Sequence, residues 1–375
     1  MSIGPRFNLS RLTLARKRRG LTMTRLAELI RVEPRSVSAY ENAEFTPDPE
    51  RRALLAKVLR FPESFFAGDD LEQLSPDAAS FRALSKMTAG KRDMALGAGT
   101  IALLLNDWIE EHFELPAASL PDLSKEGGPE AAAATIRQLW TLGELPVKNM
   151  VHLLESRGVR VFSLAIDARE VDAFSMWHDS KPFIFLNTMK SAEHSRFDAA
   201  HELGHLVLHR HGEPQGQEAE REAHAFAAAF LMPRGSVLAN APKFATVEHL
   251  VKLKKYWTVS VAALAYRLHA VGVLSEWHYR QIYIEISKRG YRTREPEEAQ
   301  RETSQVLAKV FAALRDESVA KRDIATQLHI TPEEIEQLVF GLAVTGLTGA
   351  PAPGPSTGRK RGQLHVVGPR RDAET

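Results

Sequence analysis

The sequence predicts an α+β, predominantly helical protein of several domains. Three observations predict it. Most of the 375 residues carry apolar positions at helical spacing, and a hydrophobic fraction of 44% is enough for more than one core. Three short stretches, 159–164 (VRVFSL), 173–177 (AFSMW) and 183–186 (FIFL), alternate or run apolar as strands do. A Pro- and Gly-rich loop at 116–129 and a Pro-, Gly-, Ser- and Arg-rich stretch after Gly349 punctuate the helical regions. The resulting partition is a bundle of short helices at 1–70 and a helical linker region at 71–130. A domain with a small antiparallel sheet on helices follows at 131–240, then a helical C-terminal region at 241–348 and a disordered tail at 349–375.

The N-terminal helices come first. Residues 9–19 (LSRLTLARKRR) form a basic amphipathic helix with Leu9, Leu12 and Ala15 on one face, ended by Gly20. Thr22 caps a short helix, TRLAELI. A tight turn leads to a second, opened by Pro34, which suits a first helical turn. In that helix Val37 and Tyr40 are expected inward, with Arg35, Ser36, Ser38 and Ala39 outward. Two short helices joined tightly, the second with small polar residues and Arg, describe a helix-turn-helix reader. Charge agrees. Residues 1–60 hold 13 Lys/Arg against 6 Asp/Glu, a net +7, while the whole chain is +2. Arg16, Lys17, Arg18 and Arg19 are the densest run and the expected phosphate contacts, although cations also suit a solvated helix end.

The linker region reads as helices over 81–114, with Trp108 and Phe113 as core residues. Further helices follow at 130–142 and 147–156. The three strand-like stretches come next, the last two forming a hairpin about Asp179-Ser180-Lys181-Pro182. Ser195-Arg196-Phe197-Asp198 reads as a capping box opening the following helix.

That helix carries His201-Glu202-Leu203-Gly204-His205. Histidines at i and i+4 lie one turn apart on one helical face and can grip one divalent cation from one side. Glu202, beside the first ligand, can take the proton from a water held at such a cation, the general-base role of metal-assisted hydrolysis. A two-histidine site needs a third protein ligand and an open position. The stretch 218–233 (EAEREAHAFAAAFLMP) offers Glu220 and Glu222. Glu220 is preferred because it shares a face with Ala223, His224 and Ala227, with Phe226 and Phe230 packed to one side; Glu222 competes. His224, one turn on, can orient a ligand by hydrogen bonding. Zn2+ is the default cation, and Mn2+ or Fe2+ suit the same donors.

RFDAAHELGHLVLH followed by EREAHAFAAAFLMP resembles the ImmA/IrrE family of metallopeptidases. The resemblance implies a zincin-like, gluzincin-type site in which His201, His205 and Glu220 hold zinc and Glu202 is the base. It further implies a protein substrate, a repressor, in a stress- or phage-related response. His224 departs from the family, which usually has Asn or Asp there. The N-terminal segment, with LAELIRVEPRSVSAYENAEFTP and LAKVLRFPESFF, resembles an XRE/Cro-type helix-turn-helix domain over residues 8–67. Met23 stands where that family often has Gln, which puts the strength and specificity of DNA contact in question. Domains of this type bind double-stranded DNA and also serve protein recognition or homodimerisation.

After Pro233 the chain reads as amphipathic helices. Lys252, Lys254, Lys255 and Arg267 are expected on a solvated face, and His269 and His278 as structural residues. Residues 323–342 (DIATQLHITPEEIEQLVFGL) have the spacing of another helix-turn-helix. The absence of Cys excludes disulfides and thiol catalysis. No secretory pattern opens the chain and no run of 18 apolar residues occurs, so a cytoplasmic protein with no membrane partner is expected. No GxxxxGK[ST] loop supports ATP-driven proteolysis. Three functions fit: a DNA-binding regulatory metallo-endopeptidase, a transcriptional regulator whose metal site is sensory or structural, and a toxin–antitoxin component. Glu202 favours the first, since a structural zinc site needs no base.

Overall fold

The computed structural model describes residues 7–74, 88–164, 173–211 and 216–343. The expected tail at 349–375 and the first turns of the helix expected over 81–114 lie outside the described residues. In chain order, the elements begin with α1 (Leu9–Arg18), α2 (Met23–Ile30), α3 (Pro34–Glu41), α4 (Pro49–Leu59), a 3-10 turn (Glu63–Ala67) and α5 (Ala89–His112). Then come α6 (Pro129–Leu139), α7 (Met150–Ser156), β1 (Arg160–Ser163), β2 (Ala173–His178), β3 (Lys181–Leu186), α8 (Ala192–Leu208), α9 (Gln217–Leu231) and α10 (Arg234–Asn240). The chain continues with α11 (Val247–Trp257), α12 (Val261–Ala270), α13 (Glu276–Lys288), α14 (Gln305–Asp316), α15 (Lys321–Gln327) and α16 (Pro332–Val339). The fold is α+β and mostly helical.

The elements form two compact units, and neither follows the linear partition. Among the described residues, the first comprises 7–74, 88–116 and 305–343; the second comprises 117–164, 173–211 and 216–304. Thus α5, expected in a linker, and α14 to α16, expected in a C-terminal region, join the N-terminal helices. The reason is packing. A Cβ at Gly97 of α5 would meet Arg18 Cα at 3.2 Å, so the glycine lets α5 lie closely on α1. Trp108 Nε1 of α5 donates to Gln327 Oε1 of α15 at 2.7 Å.

In the first unit Asn8 caps α1 by accepting from the backbone N–H groups of Ser10 and Arg11. Thr22 caps α2 by accepting from Arg25 N–H, and Pro34 opens α3. The turn between α2 and α3 is closed by Arg31 in the left-handed region, φ 57°. Val37 is buried as expected, but so is Ala39, while Tyr40 is only half-buried. Apolarity ranks Tyr40 above Ala39 for the core. The close approach of α3 to α1 and α2 instead selects the smaller side chain.

In the second unit β1, β3 and β2 lie in that order. β2 and β3 form the expected antiparallel hairpin, with Ser175 opposite Ile184. β1 pairs parallel with β3, so the sheet is mixed rather than antiparallel. A parallel neighbour needs a crossover, and β2 fills the other side of β3, leaving β3 central. The helix α8 packs against this sheet and starts a turn earlier than the expected capping box. Its cap is Ser191, whose hydroxyl accepts from His194 N–H at 3.3 Å. The expected solvated basic face is split. Lys254, 1% exposed, pairs with Glu193 at 2.7 Å and with Glu295 at 3.3 Å. Arg267, 2% exposed, pairs with Glu130 at 2.6 Å. Both are buried charges held by carboxylates.

Candidate functional site

The second unit brings three side chains of α8 and α9 to one point. His201 Nε2 and His205 Nε2 are 3.1 Å apart. Glu220 Oε1 lies 3.4 Å from His205 Nε2, and Glu220 Oε2 lies 3.8 Å from His201 Nε2. One donor atom from each of the three falls within 4.8 Å of the others. Donors about 2.0–2.1 Å from a tetrahedral zinc lie about 3.3 Å from one another, so these separations fit a cation of that size. Burial and the neighbouring His205 hold the His201 imidazole at a pKa of about 3, far below the usual histidine range. It is therefore neutral near pH 7, the form that ligates.

The close approach of the two helices rests on Gly204. A Cβ there would meet Phe226 Cδ1 at 3.0 Å and Ala223 Cα at 3.2 Å. The glycine inside the histidine motif thus lets α9, and with it Glu220, reach the histidine face. Phe226 and Ala223 are buried against Gly204 of α8, while Phe230 is buried against Phe226, Arg137 of α6 and Trp140 at its end.

Glu202 is 2% exposed and points to β2. Ser175 Oγ donates to Glu202 Oε2 at 2.6 Å. Trp177 Nε1 of the same strand donates to Leu206 O at 3.2 Å, fixing β2 along the helix. Sequence reading missed Ser175. The alternation of β2 puts Ser175 and Trp177 on one face, but nothing local says which element that face meets.

It also missed His209, one further turn along α8. His209 Nδ1 lies 2.9 Å from His205 Nδ1, and His209 Nε2 lies 3.1 Å from Glu222 Oε2. Burial holds His209 below its usual pKa, against the opposing pull of Glu222. The signal was present as a third histidine at i+4 spacing. Glu222, the competing ligand on sequence grounds, lies behind the cluster through His209. His224 is exposed and its ring lies 4.9 Å from those of Phe197 and Tyr266. A further imidazole, that of His209, thus adjoins the candidate ligand His205.

Of the residues expected to meet DNA, three arginines are spent inside the first unit. Arg16, 7% exposed, donates from Nε and Nη2 to Glu41 at 2.6 and 2.8 Å. Arg18, 5% exposed, donates to Glu334 at 2.9 Å. Arg19 donates to the same Glu334 and, at 2.7 Å, to Leu59 O. Their charge, read from the sequence as a surface run, neutralises carboxylates and backbone carbonyls of elements distant in the chain. Lys17, Ser36 and Ser38 are half-buried, and Arg35 is exposed. The helix pair within 323–342 is formed, but Glu334 of its second helix is the acceptor for Arg18 and Arg19.

Among the described residues no helix is long and apolar enough to cross a membrane. No curated protein matches the chain. Two family models do. Residues 154–269 match the peptidase M78 family, described as an IrrE N-terminal-like domain, and this supports a metallopeptidase-like domain. Residues 12–66 match a helix-turn-helix family, which supports DNA binding. Together they match the ImmA/IrrE family, with a helix-turn-helix domain standing before an IrrE N-terminal-like domain.

Proposed function

We propose that this chain is a DNA-binding regulatory metallo-endopeptidase that hydrolyses a peptide bond in a partner protein. The observation that carries the reading is the convergence of His201, His205 and Glu220 with Glu202 fixed beside them by Ser175. His201, His205 and Glu220 would hold Zn2+. When bound, the metal supplies Lewis-acid polarisation of the scissile carbonyl and makes a water acidic near neutral pH. Glu202 accepts the proton of that attacking water and then passes it to the leaving amine. The Ser175 hydroxyl engages Glu202 Oε2, which keeps the carboxylate from rotating. His209, tied to Glu222, holds the His205 ring through Nδ1 so that Nε2 faces the cation.

The substrate segment cannot add to β3, whose two edges are already paired. β2, an outer strand among the described residues, carries Ser175 beside Glu202 and is the better track for an extended peptide. On the DNA side, Arg35, Ser36 and Ser38 of α3 read the groove, and Lys17 adds a phosphate contact; Arg16, Arg18 and Arg19 hold the domain together. A repressor as substrate, in a stress- or phage-related response, is what the family resemblance adds.

The test is Glu202→Gln in the full chain. The amide keeps the shape of the side chain and cannot take the proton. Cleavage should fall about 10²–10⁴-fold, with metal content and DNA binding retained and the partner protein captured uncleaved. Partner abundance in cells that stays the same with and without the substitution rejects the peptidase reading in favour of a regulator with a non-catalytic metal site.

A further inference from the structure

Beside the metal cluster, the second unit has an aromatic pocket that the reaction leaves unused. Its volume is about 280 Å³. Four of the six tyrosines in the chain, Tyr266, Tyr279, Tyr283 and Tyr291, line it. Two other wall residues place it next to the cluster. Phe197 precedes His201 by one helical turn, and His224 follows Glu220 by one turn. Their rings lie 4.9 Å apart, so the two helices that bear the candidate ligands also build the wall of the pocket.

The polar chemistry of the wall selects a ligand. Glu193 is 1% exposed. Its Oε1 accepts from Lys254 Nζ at 2.7 Å and from Ala299 N–H at 2.9 Å. Its Oε2 is buried and takes no hydrogen bond. A buried carboxylate oxygen without a donor is costly and is relieved by a ligand that brings one. Glu295, a second carboxylate of the wall, accepts from Val261 N–H at 2.7 Å and lies 3.3 Å from Lys254. The tyrosine faces already accommodate a guanidinium: Arg292, exposed at the rim, lies 5.3 Å from the centre of the Tyr283 ring. Cations are attracted to such π faces. An apolar side chain would cover the tyrosines but leave Glu193 Oε2 without a donor.

We propose that this pocket is the specificity subsite of the peptidase, taking a cationic side chain, arginine or lysine, from a residue flanking the scissile bond. The proposal rests on the peptidase reading above. The substrate cation stacks on Tyr279 and Tyr283, displaces Arg292 from its ring and donates to Glu193 Oε2. Tyr266, against His224, closes the side nearest the cluster.

The experiment measures binding to the zinc-loaded full chain, by calorimetry, of four probes: acetohydroxamate and the hydroxamates of N-acetyl-arginine, N-acetyl-norleucine and N-acetyl-phenylalanine. The hydroxamate reports on the metal cluster and the side chain on the pocket. The arginine probe should bind at least tenfold more tightly than the norleucine probe. That preference should vanish in Tyr279→Ala and Tyr283→Ala and shrink in Glu193→Gln, with acetohydroxamate affinity unchanged in the tyrosine variants. The tyrosine variants keep the test decisive should Glu193→Gln disturb the buried pair with Lys254. Equal affinity for the three side chains, a preference for phenylalanine, or an arginine preference that survives both tyrosine variants overturns the subsite alone. Acetohydroxamate that fails to bind overturns the metal-centre reading, and the subsite's role in cleavage falls with it.

Discussion

Two helices of this chain carry polar groups one turn apart, and the structure uses them in opposite ways. On α1 and at its C-cap, Arg16, Arg18 and Arg19 each meet acceptors from other elements, and all three guanidinium groups are bound within the first unit. On α8, His201 and His205 turn their Nε2 atoms toward one another and toward Glu220, all within 4.8 Å. The first arrangement pairs donors with acceptors and is complete. The second gathers imidazole nitrogens and a carboxylate, all able to give an electron pair to a cation, around one point. Convergence of like groups, rather than density of charge along the sequence, separates a site from a brace.

The contrast can be broken or sharpened by experiment. The largest effect is expected for His201→Ala, which should reduce metal content from about one ion per chain to near none, as read by elemental analysis of the purified protein. Full metal content in that variant would place the cation elsewhere. The matching change on the other side is Glu334→Ala. It leaves Arg18, 5% exposed, buried without its carboxylate. Removing one partner of a buried pair typically costs about 3–5 kcal/mol, so denaturant unfolding of the first unit should shift by that amount while metal content is unchanged. A shift below about 1 kcal/mol would mean that the arginines are available to phosphate after all.

Acid separates the two regions as well. His201 has a folded pKa of about 3, below its ordinary 6.5. The unfolded chain therefore binds its proton first, so this group's contribution is fully present above pH 6.5. It is lost progressively as pH falls from 6.5 toward 3, on the order of a few kcal/mol. Urea unfolding of the metal-free protein across that range should show the second unit weakening, and His201→Ala should flatten the dependence. An unaltered slope in the variant assigns the acid sensitivity to other groups. The smallest effect is expected for His209→Ala. Loss of the group that orients a ligand typically lowers metal affinity about 10–100-fold. His209→Gln should recover part of it, because its amide can still hydrogen-bond to His205. Chelator competition at fixed pH measures both, and wild-type affinity in His209→Ala would make the His205–His209 contact incidental.

Much of this was legible along the chain. The helical period forces residues four apart onto one face, so the histidine pair needed no tertiary information. The hairpin of β2 and β3 was legible from two apolar runs about a polar turn, and the helix pair of α2 and α3 from Thr22 and Pro34. The start of α8 was misplaced by a turn because Ser191 and Ser195 are both plausible caps four residues apart. Ala39 and Tyr40 exchanged roles because hydropathy says nothing about how closely two helices approach. Lys254 and Arg267 read as solvated because charged residues usually are; their carboxylate partners lie 61 and 137 residues away.

By itself, the sequence determined the local geometry: which segments are helical, which residues share a face, and that His201, Glu202 and His205 occupy one turn and a fraction of α8. Backbone stereochemistry sets these, and it acts over a few residues. Tertiary structure alone decided that Glu220 rather than Glu222 faces the histidines, that Ser175 and His209 serve their neighbours, and that β3 is central. It also decided that residues 305–343 fold back on the N-terminal helices and silence Arg18 and Arg19 with one glutamate. Those facts depend on how apolar faces pack across distant segments. Gly204, where the absence of one Cβ sets the distance between α8 and α9, marks where local sequence passes into global structure.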